Sequence, residues 1–160
     1  EDILKYYVDL GLLNVINLIL YDVYGPNDNR EKLLPVVFKA LSYGNKLSLT
    51  EGEQMLDLVY IDDVVNSIDL AGSLLFDHKV KGFVEYKVSS NNFIKLKDLL
   101  NLIQQVSNKK INIKWGAKKY RDRQVFLPWQ AGKNLPERIS LGSLEEGIKK
   151  ILRSNENNNQ

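Results

Sequence analysis

Four charged side chains stand where a ligand could reach them: Asp22, Lys32, Arg121 and Arg123. Asp22 follows an apolar run, Val15 to Leu20, broken by Asn17. When ionised it accepts hydrogen bonds and donates none. Gly25 and Pro26 then stop regular structure, polar residues Asn27 to Arg30 follow, and an apolar helical pattern begins. The stretch Tyr21 to Pro35 therefore reads as strand, long loop, helix, and loops at strand ends are where α/β proteins place ligand sites. Lys32 stands at the helix start, where an ammonium opposes the helix dipole. That position suits a cation facing an anion such as a diphosphate, and suits equally an ordinary exposed lysine. Arg121 and Arg123 lie in a long stretch with little periodicity, and a guanidinium offers phosphate paired donors in a fixed plane. A turn-forming Asp22 and two solvated loop arginines are the plainer alternatives.

Other residue types exclude chemistry. The chain has no cysteine and a single histidine, His78, so neither a disulfide framework, a thiolate metal site nor a histidine metal site is expected. Asp57, Asp62 and Asp63 stand close in sequence, but the adjacent pair before a helical pattern reads as capping, and no metal is assigned. A net charge of +2 with dispersed Lys and Arg gives no basis for nucleic-acid binding. No apolar run reaches the ~18 residues of a membrane span. The chain begins Glu1-Asp2, with no basic start and apolar core, so no signal peptide is expected and a cytoplasmic location is. The ten glycines are scattered, with no Gly-x-Gly-x-x-Gly turn to hold a pyrophosphate, and no dinucleotide is expected to bind this segment alone.

The elements that would carry these residues alternate. Helical spacing covers Asp2 to Leu10, with Gly11 as a stop. Val15 to Tyr21 reads as a strand buried on both faces. A helix over Leu33 to Tyr43 carries a stripe of Leu33, Val36, Val37, Ala40 and Leu41, with Pro35 in its first turn and Gly44 beyond its end. Leu47 to Thr50 is a short strand, and Leu56 to Ile61 a strong one. Asp62 or Asp63 is expected to cap a helix to Phe76 with Val64, Ile68, Ala71 and Leu75 inside. A strand over Phe83 to Val88, an amphipathic helix over Lys95 to Val106 and a short strand at Ile111 to Lys114 follow. Residues 115–142 read as irregular. Ser143 with Glu146 forms a capping box for a last helix to Arg153. The expectation is an α/β chain with one unit over residues 1–153 and a disordered polar tail over 154–160. Hydrophobic residues at 44% and charged residues at 26% agree with a globular core.

Three phrases in order carry a resemblance. The first is Tyr21, Asp22, Val23, Tyr24, Gly25, Pro26, then Lys32 and Leu33. The second is Gly52, Gln54, Asp57 and Leu58-Val59-Tyr60-Ile61-Asp62-Asp63-Val64-Val65. The third is Tyr120-Arg121, Pro128-Trp129, Leu135-Pro136 and Ser143-Leu144-Glu145-Glu146-Gly147. Together they resemble the C-terminal half of extended short-chain dehydrogenases/reductases, in the NAD-dependent epimerase/dehydratase family of nucleotide-sugar enzymes. Asp22, where the family usually has Asn, resembles the branch containing CDP-abequose and CDP-paratose synthases. The resemblance implies the last strands of a Rossmann-type parallel sheet with a smaller α/β substrate-binding part. It implies that Asp22 meets sugar hydroxyls, that Lys32 and Leu33 meet the nucleotide, that Leu47 and Leu49 flank the base, and that Arg121, with Arg123 beside it, reaches the diphosphate. It places Tyr21 and Val23 beside the cofactor, NAD or NADP, and implies a homodimer in the full-length protein.

Two departures qualify it. The family's Tyr-x-x-x-Lys pair is absent, so the chain is expected to begin after it and to hold no catalytic residue. Many relatives carry Arg just before the Asp of the second phrase, where this chain has Leu56. Two readings stay open: the substrate-binding half of an NAD(P)-dependent epimerase, dehydratase or reductase serving deoxysugar or surface-polysaccharide synthesis, or a non-catalytic nucleotide-sugar-binding or protein-interaction module.

Overall fold

The structure, a computed structural model, describes residues 1–136 and 142–157. Helix α1 spans Asp2–Asp9 and ends before Gly11, whose φ of 70° suits a residue without Cβ. Strand β1 (Val15–Leu20) pairs in parallel with β6 (Phe83–Val88), residue 15 opposite residue 83. The short β2 (Asp22–Tyr24) pairs in parallel with β5 (Leu58–Tyr60). Beyond it, α2 (Leu33–Tyr43) is closed by Gly44 in the left-handed conformation. Strand β3 (Leu47–Ser48) pairs in parallel with β8 (Ile113–Lys114), and β4 (Met55–Leu56) pairs antiparallel with β7 (Ile94–Lys95). Helices α3 (Ile61–Phe76), α4 (Leu96–Ser107) and α5 (Leu144–Asn157) complete the mixed α/β fold.

The main core joins α2, α4 and α5 over β3 and β5. Leu99, Leu100 and Ile103 of α4 and Ile148 of α5 are fully buried there, with Val37 and Phe38 of α2. A smaller cluster, Val59, Val64 and Val88, lies beneath Leu18, Tyr21 and Val23. It joins the β1–β6 pair to the β2–β5 pair, and so carries the strand that presents Asp22.

Several expectations need correction. Strand β1 is half-buried rather than covered on both faces, because β6 is its one strand partner among the described residues. Helix α1 has no buried residue and turns Ile3, Tyr6 and Leu10 to solvent. In α2 the buried stripe includes Leu34 and Phe38, with Val36 exposed; in α3 it includes Ser67 and Leu74, with Ile68 exposed. The expected strand Leu56 to Ile61 is two strands, because Asp57 turns inward between them. Neither Asp62 nor Asp63 caps α3. The helix begins earlier, with Tyr60 at the cap position, and both carboxylates sit in its first turn, where they complement the dipole. Asp62 instead reaches Lys150 of α5 at 3.0 Å.

The capping box is present. The Ser143 amide donates to Glu146 Oε2 at 3.1 Å, and the Glu146 amide donates to Ser143 Oγ at 3.2 Å. Ser143→Ala is expected to cost about 1 kcal/mol of stability, read as a lower urea midpoint with an unchanged slope. Helix α5 runs on to Asn157, into the segment expected to be a tail; residues 158–160 lie outside the described residues, as do 137–141 of the irregular segment. No helix among the described residues is long and apolar enough to cross a membrane, and no group of potential ligands there could hold a metal ion.

Candidate functional site

The site is built around β2. The Asp22 amide donates to the Asp57 carbonyl at 3.1 Å, fixing the start of the strand, and Asp22 faces Leu58 in the pairing. Between β2 and α2 the loop is closed by Asp28 and Arg30. The guanidinium meets the carboxylate through two bonds of 2.7 Å, and the Arg30 amide adds a third at 3.1 Å. These bonds pull the Asp28 carboxyl down to about 2. With Asp28 claimed by Arg30, Lys32 makes no ion pair among the described residues, and it caps α2 with extended backbone and no side-chain cap bond.

Asp22, Val23, Lys32 and Leu33 converge on one cleft of about 90 Å³, with Leu56 and Leu58 forming an apolar wall. A carboxylate accepts from hydroxyls, an ammonium attracts an anion, and leucines pack against a flat ring. Asp22 is exposed as a residue, yet the cleft partly desolvates its carboxyl and raises it above its ordinary range; Lys32 opposes the shift and Asp57 adds to it. The sign follows directly. The folded state binds this proton more tightly than the unfolded one, so Asp22 costs stability once pH rises from the ordinary carboxylate value through the raised one. Asp22→Asn is therefore expected to be more stable than the parent at pH 7, and the difference to vanish in acid below the unfolded carboxylate range. Urea denaturation at both pH values checks this.

The structure does not bring every expected residue here. Leu47 is buried in the main core, Leu49 packs against it, and neither lines this cleft. Arg121 and Arg123 are exposed and line no part of this cleft. Tyr21 is tied elsewhere: its hydroxyl donates to the Trp129 carbonyl, and burial raises its pKa. Sequence reasoning missed Tyr24 and Leu58 as lining residues. Leu56, noted only as a departure, proves to be cleft wall.

A strap over residues 115–136 crosses the same end of the fold without helix or strand, apart from one bridge between Lys87 and Asn134. It is fastened largely through carbonyls. The Met55 amide donates to Phe126 O at 2.8 Å, Lys87 Nζ to Gln130 O at 3.0 Å, and the Lys87 amide to Lys133 O at 2.8 Å. Val125, Phe126, Leu127 and Trp129 remain exposed along it.

Known proteins share parts of this sequence and this fold. Residues 1–79 match the model for the NAD dependent epimerase/dehydratase family. The chain is similar to a CDP-abequose synthase of Salmonella typhimurium (strain LT2), 30% identical over 139 residues, covering 84% of this chain and 46% of that protein. In fold it matches the UDP-N-acetylglucosamine 4-epimerase from Methanobrevibacter ruminantium M1 in complex with UDP-N-acetylmuramic acid, at a TM-score of 0.80 and 16% identity over 99% of this chain and 51% of that one. It also matches the dTDP-glucose 4,6-dehydratase from Bacillus anthracis in complex with NAD, at a TM-score of 0.74 and 20% identity over 98% and 49% of the two chains. The chain thus spans about half the length of the relatives it matches.

Proposed function

The chain belongs to the NAD-dependent epimerase/dehydratase family, and from that premise we propose that it forms the substrate-binding half of an NAD(P)-dependent enzyme acting on a nucleotide sugar. The observation that carries the proposal is the convergence of Asp22, Lys32 and Leu33 on one cleft. Lys32 meets the anionic diphosphate, Leu33 and Leu56 pack against the nucleotide, and Asp22 accepts from sugar hydroxyls. Arg121 and Arg123 are free in solvent to reach the diphosphate as ligand enters, taking the part that a cation at Leu56 would otherwise play. The likeness to a CDP-abequose synthase favours a CDP-sugar and a role in supplying deoxysugars for surface polysaccharide.

The residues present do not by themselves fit a dinucleotide. No Gly-rich turn is available to cradle a pyrophosphate, and the Tyr21 hydroxyl is engaged by the strap. Hydride chemistry is therefore assigned to the whole protein, with Tyr21 and Val23 forming the edge of the cofactor site there. The exposed apolar face of α1, Ile3, Tyr6 and Leu10, fits packing against further polypeptide, including a second copy in a homodimer; a cytoplasmic location for the whole protein is part of the same proposal.

Calorimetric titration of the chain with CDP-, UDP-, dTDP- and GDP-sugars, and with NAD, tests this. Weak saturable binding of one nucleotide type, reduced in Arg121→Ala, with none for NAD, is expected. A folded chain that binds none of the nucleotide sugars would overturn the reading of the cleft.

A further inference from the structure

Gly147 lies inside α5, buried beside the fully buried Ile148. Its backbone is ordinary helix, which favours alanine over glycine by about 1 kcal/mol. The glycine is therefore not explained by its own conformation. Its surroundings explain it: a Cβ there would run into the phenolic oxygen of Tyr24 and stand 2.8 Å from Cζ and 3.0 Å from Cε2. The missing side chain is the space that the Tyr24 ring occupies.

Tyr24 has little room to yield. It is 4% exposed, its ring meets Tyr60 edge-on at 5.4 Å and 72°, and Tyr60 is also its partner across β2 and β5. The next residue, Gly25, is pressed on the far side, where a Cβ would lie 2.6 Å from Ile61 Cγ2 at the start of α3. Residues 24 and 25 are thus held between the last helix and α3. Asp22 sits two residues back on the same three-residue strand. Lys32 follows after a loop already closed by Asp28 and Arg30. A rigid three-residue strand transmits a displacement of Tyr24 to Asp22.

We propose that Gly147 is a positioning residue for the Asp22–Lys32 cleft, acting through Tyr24, so that the C-terminal helix sets the geometry of a site to which it contributes no side chain. The proposal deepens, and rests on, the reading of that cleft as the nucleotide-sugar site.

The test compares Gly147→Ala, and Gly147→Ala combined with Tyr24→Phe, with the parent chain. The readouts are amide resonances in a ¹H–¹⁵N spectrum and titration with CMP. Gly147→Ala is expected to shift the amides of Asp22, Lys32 and Leu33 while leaving those of β1 and β6 in place, and to weaken CMP at least fivefold. Tyr24→Phe removes the oxygen that meets the new methyl group, so the double variant is expected to return part of the way on both readouts. Unmoved amides at residues 22, 32 and 33 would overturn the proposal, as would a double variant no closer to the parent than the single one. If Gly147→Ala alone does not fold, Tyr24→Leu, which removes the ring carbons 2.8 and 3.0 Å from the new methyl group as well as the oxygen, takes the place of Tyr24→Phe; recovery of the fold upholds the contact, and failure to recover overturns it. If CMP does not bind the parent chain, the cytidine preference falls, and the amide shifts still decide the positioning role.

Discussion

Replacing Asp57 by alanine is expected to lower folding stability by about 3–5 kcal/mol, since each buried group left without its partner costs roughly 1–3 kcal/mol. Asp57 is fully buried and forms no ion pair among the described residues. Its carboxyl oxygens accept hydrogen bonds from Ser89 Oγ on one side, and from the Ser90 amide at 2.9 Å with Ser90 Oγ on the other. Alanine strands all three at once and leaves a void. One of them has a fallback, because Ser90 Oγ also lies 3.2 Å from the Asn92 carbonyl, which keeps the estimate below the full sum. Against a total stability of ~5–15 kcal/mol the loss is large. Urea unfolding should show a much lower midpoint, and Ser90→Ala a smaller drop. A midpoint within experimental scatter of the parent would mean that these bonds do not form in solution. Because the Asp57 carbonyl also receives the Asp22 amide, the loosening should reach the cleft.

The second large effect is on binding. Lys32→Glu is expected to weaken the preferred nucleotide sugar about a hundredfold or more: a hydrogen bond to a charged group is worth about 1.5–3 kcal/mol, each 1.4 kcal/mol is about tenfold, and repulsion adds to the loss. The new carboxylate would face the ligand's anion and stand near Asp22, pushing the Asp22 carboxyl still higher. Lys32→Ala should lie between the parent and this variant, and added salt should narrow the differences, since the cleft is open to solvent. Calorimetry of the three proteins at two salt concentrations separates the terms. Equal affinities would show that the anion lies elsewhere, with Arg121 the next cation to change.

The sequence makes some of this legible for local reasons. Helix α2 has its expected ends, Leu33 and Tyr43, because Pro35 restricts the start and Gly44 takes a conformation that Tyr43 could not. Strand β6 and the Ser143–Glu146 box are also written within a few adjacent residues. The misses have distant causes. Asp57 splits an expected strand because its partners, Ser89 and Ser90, are more than thirty residues away. The stripes of α2 and α3 shift because periodicity gives an apolar arc, while the neighbours decide which edge of it is covered. In the cleft, Asp22, Lys32 and Leu33 belong to a single phrase and arrive together. Leu47, a residue just as plausible by type, faces the core, and alternation along a strand does not tell a core from a ligand. The Gly147–Tyr24 contact joins the third phrase to the first, a link that neither phrase reveals alone.

The strap over residues 115–136 carries a different lesson. Its fastenings to the Met55 amide, to Lys87 and to Tyr21 all end on carbonyl oxygens, which every amino acid possesses. Its course there is prescribed by the framework, and the side chains of Val125 and Leu127 point outward with little structural duty, whereas Trp115 packs on the main core, Tyr120 accepts from the Glu53 amide and Trp129 lies over Gly132. Those outward positions can accumulate substitutions without unfolding the chain. A lineage built on this framework can revise what it recognises by rewriting a few exposed positions, and keep the rest of the molecule as it is.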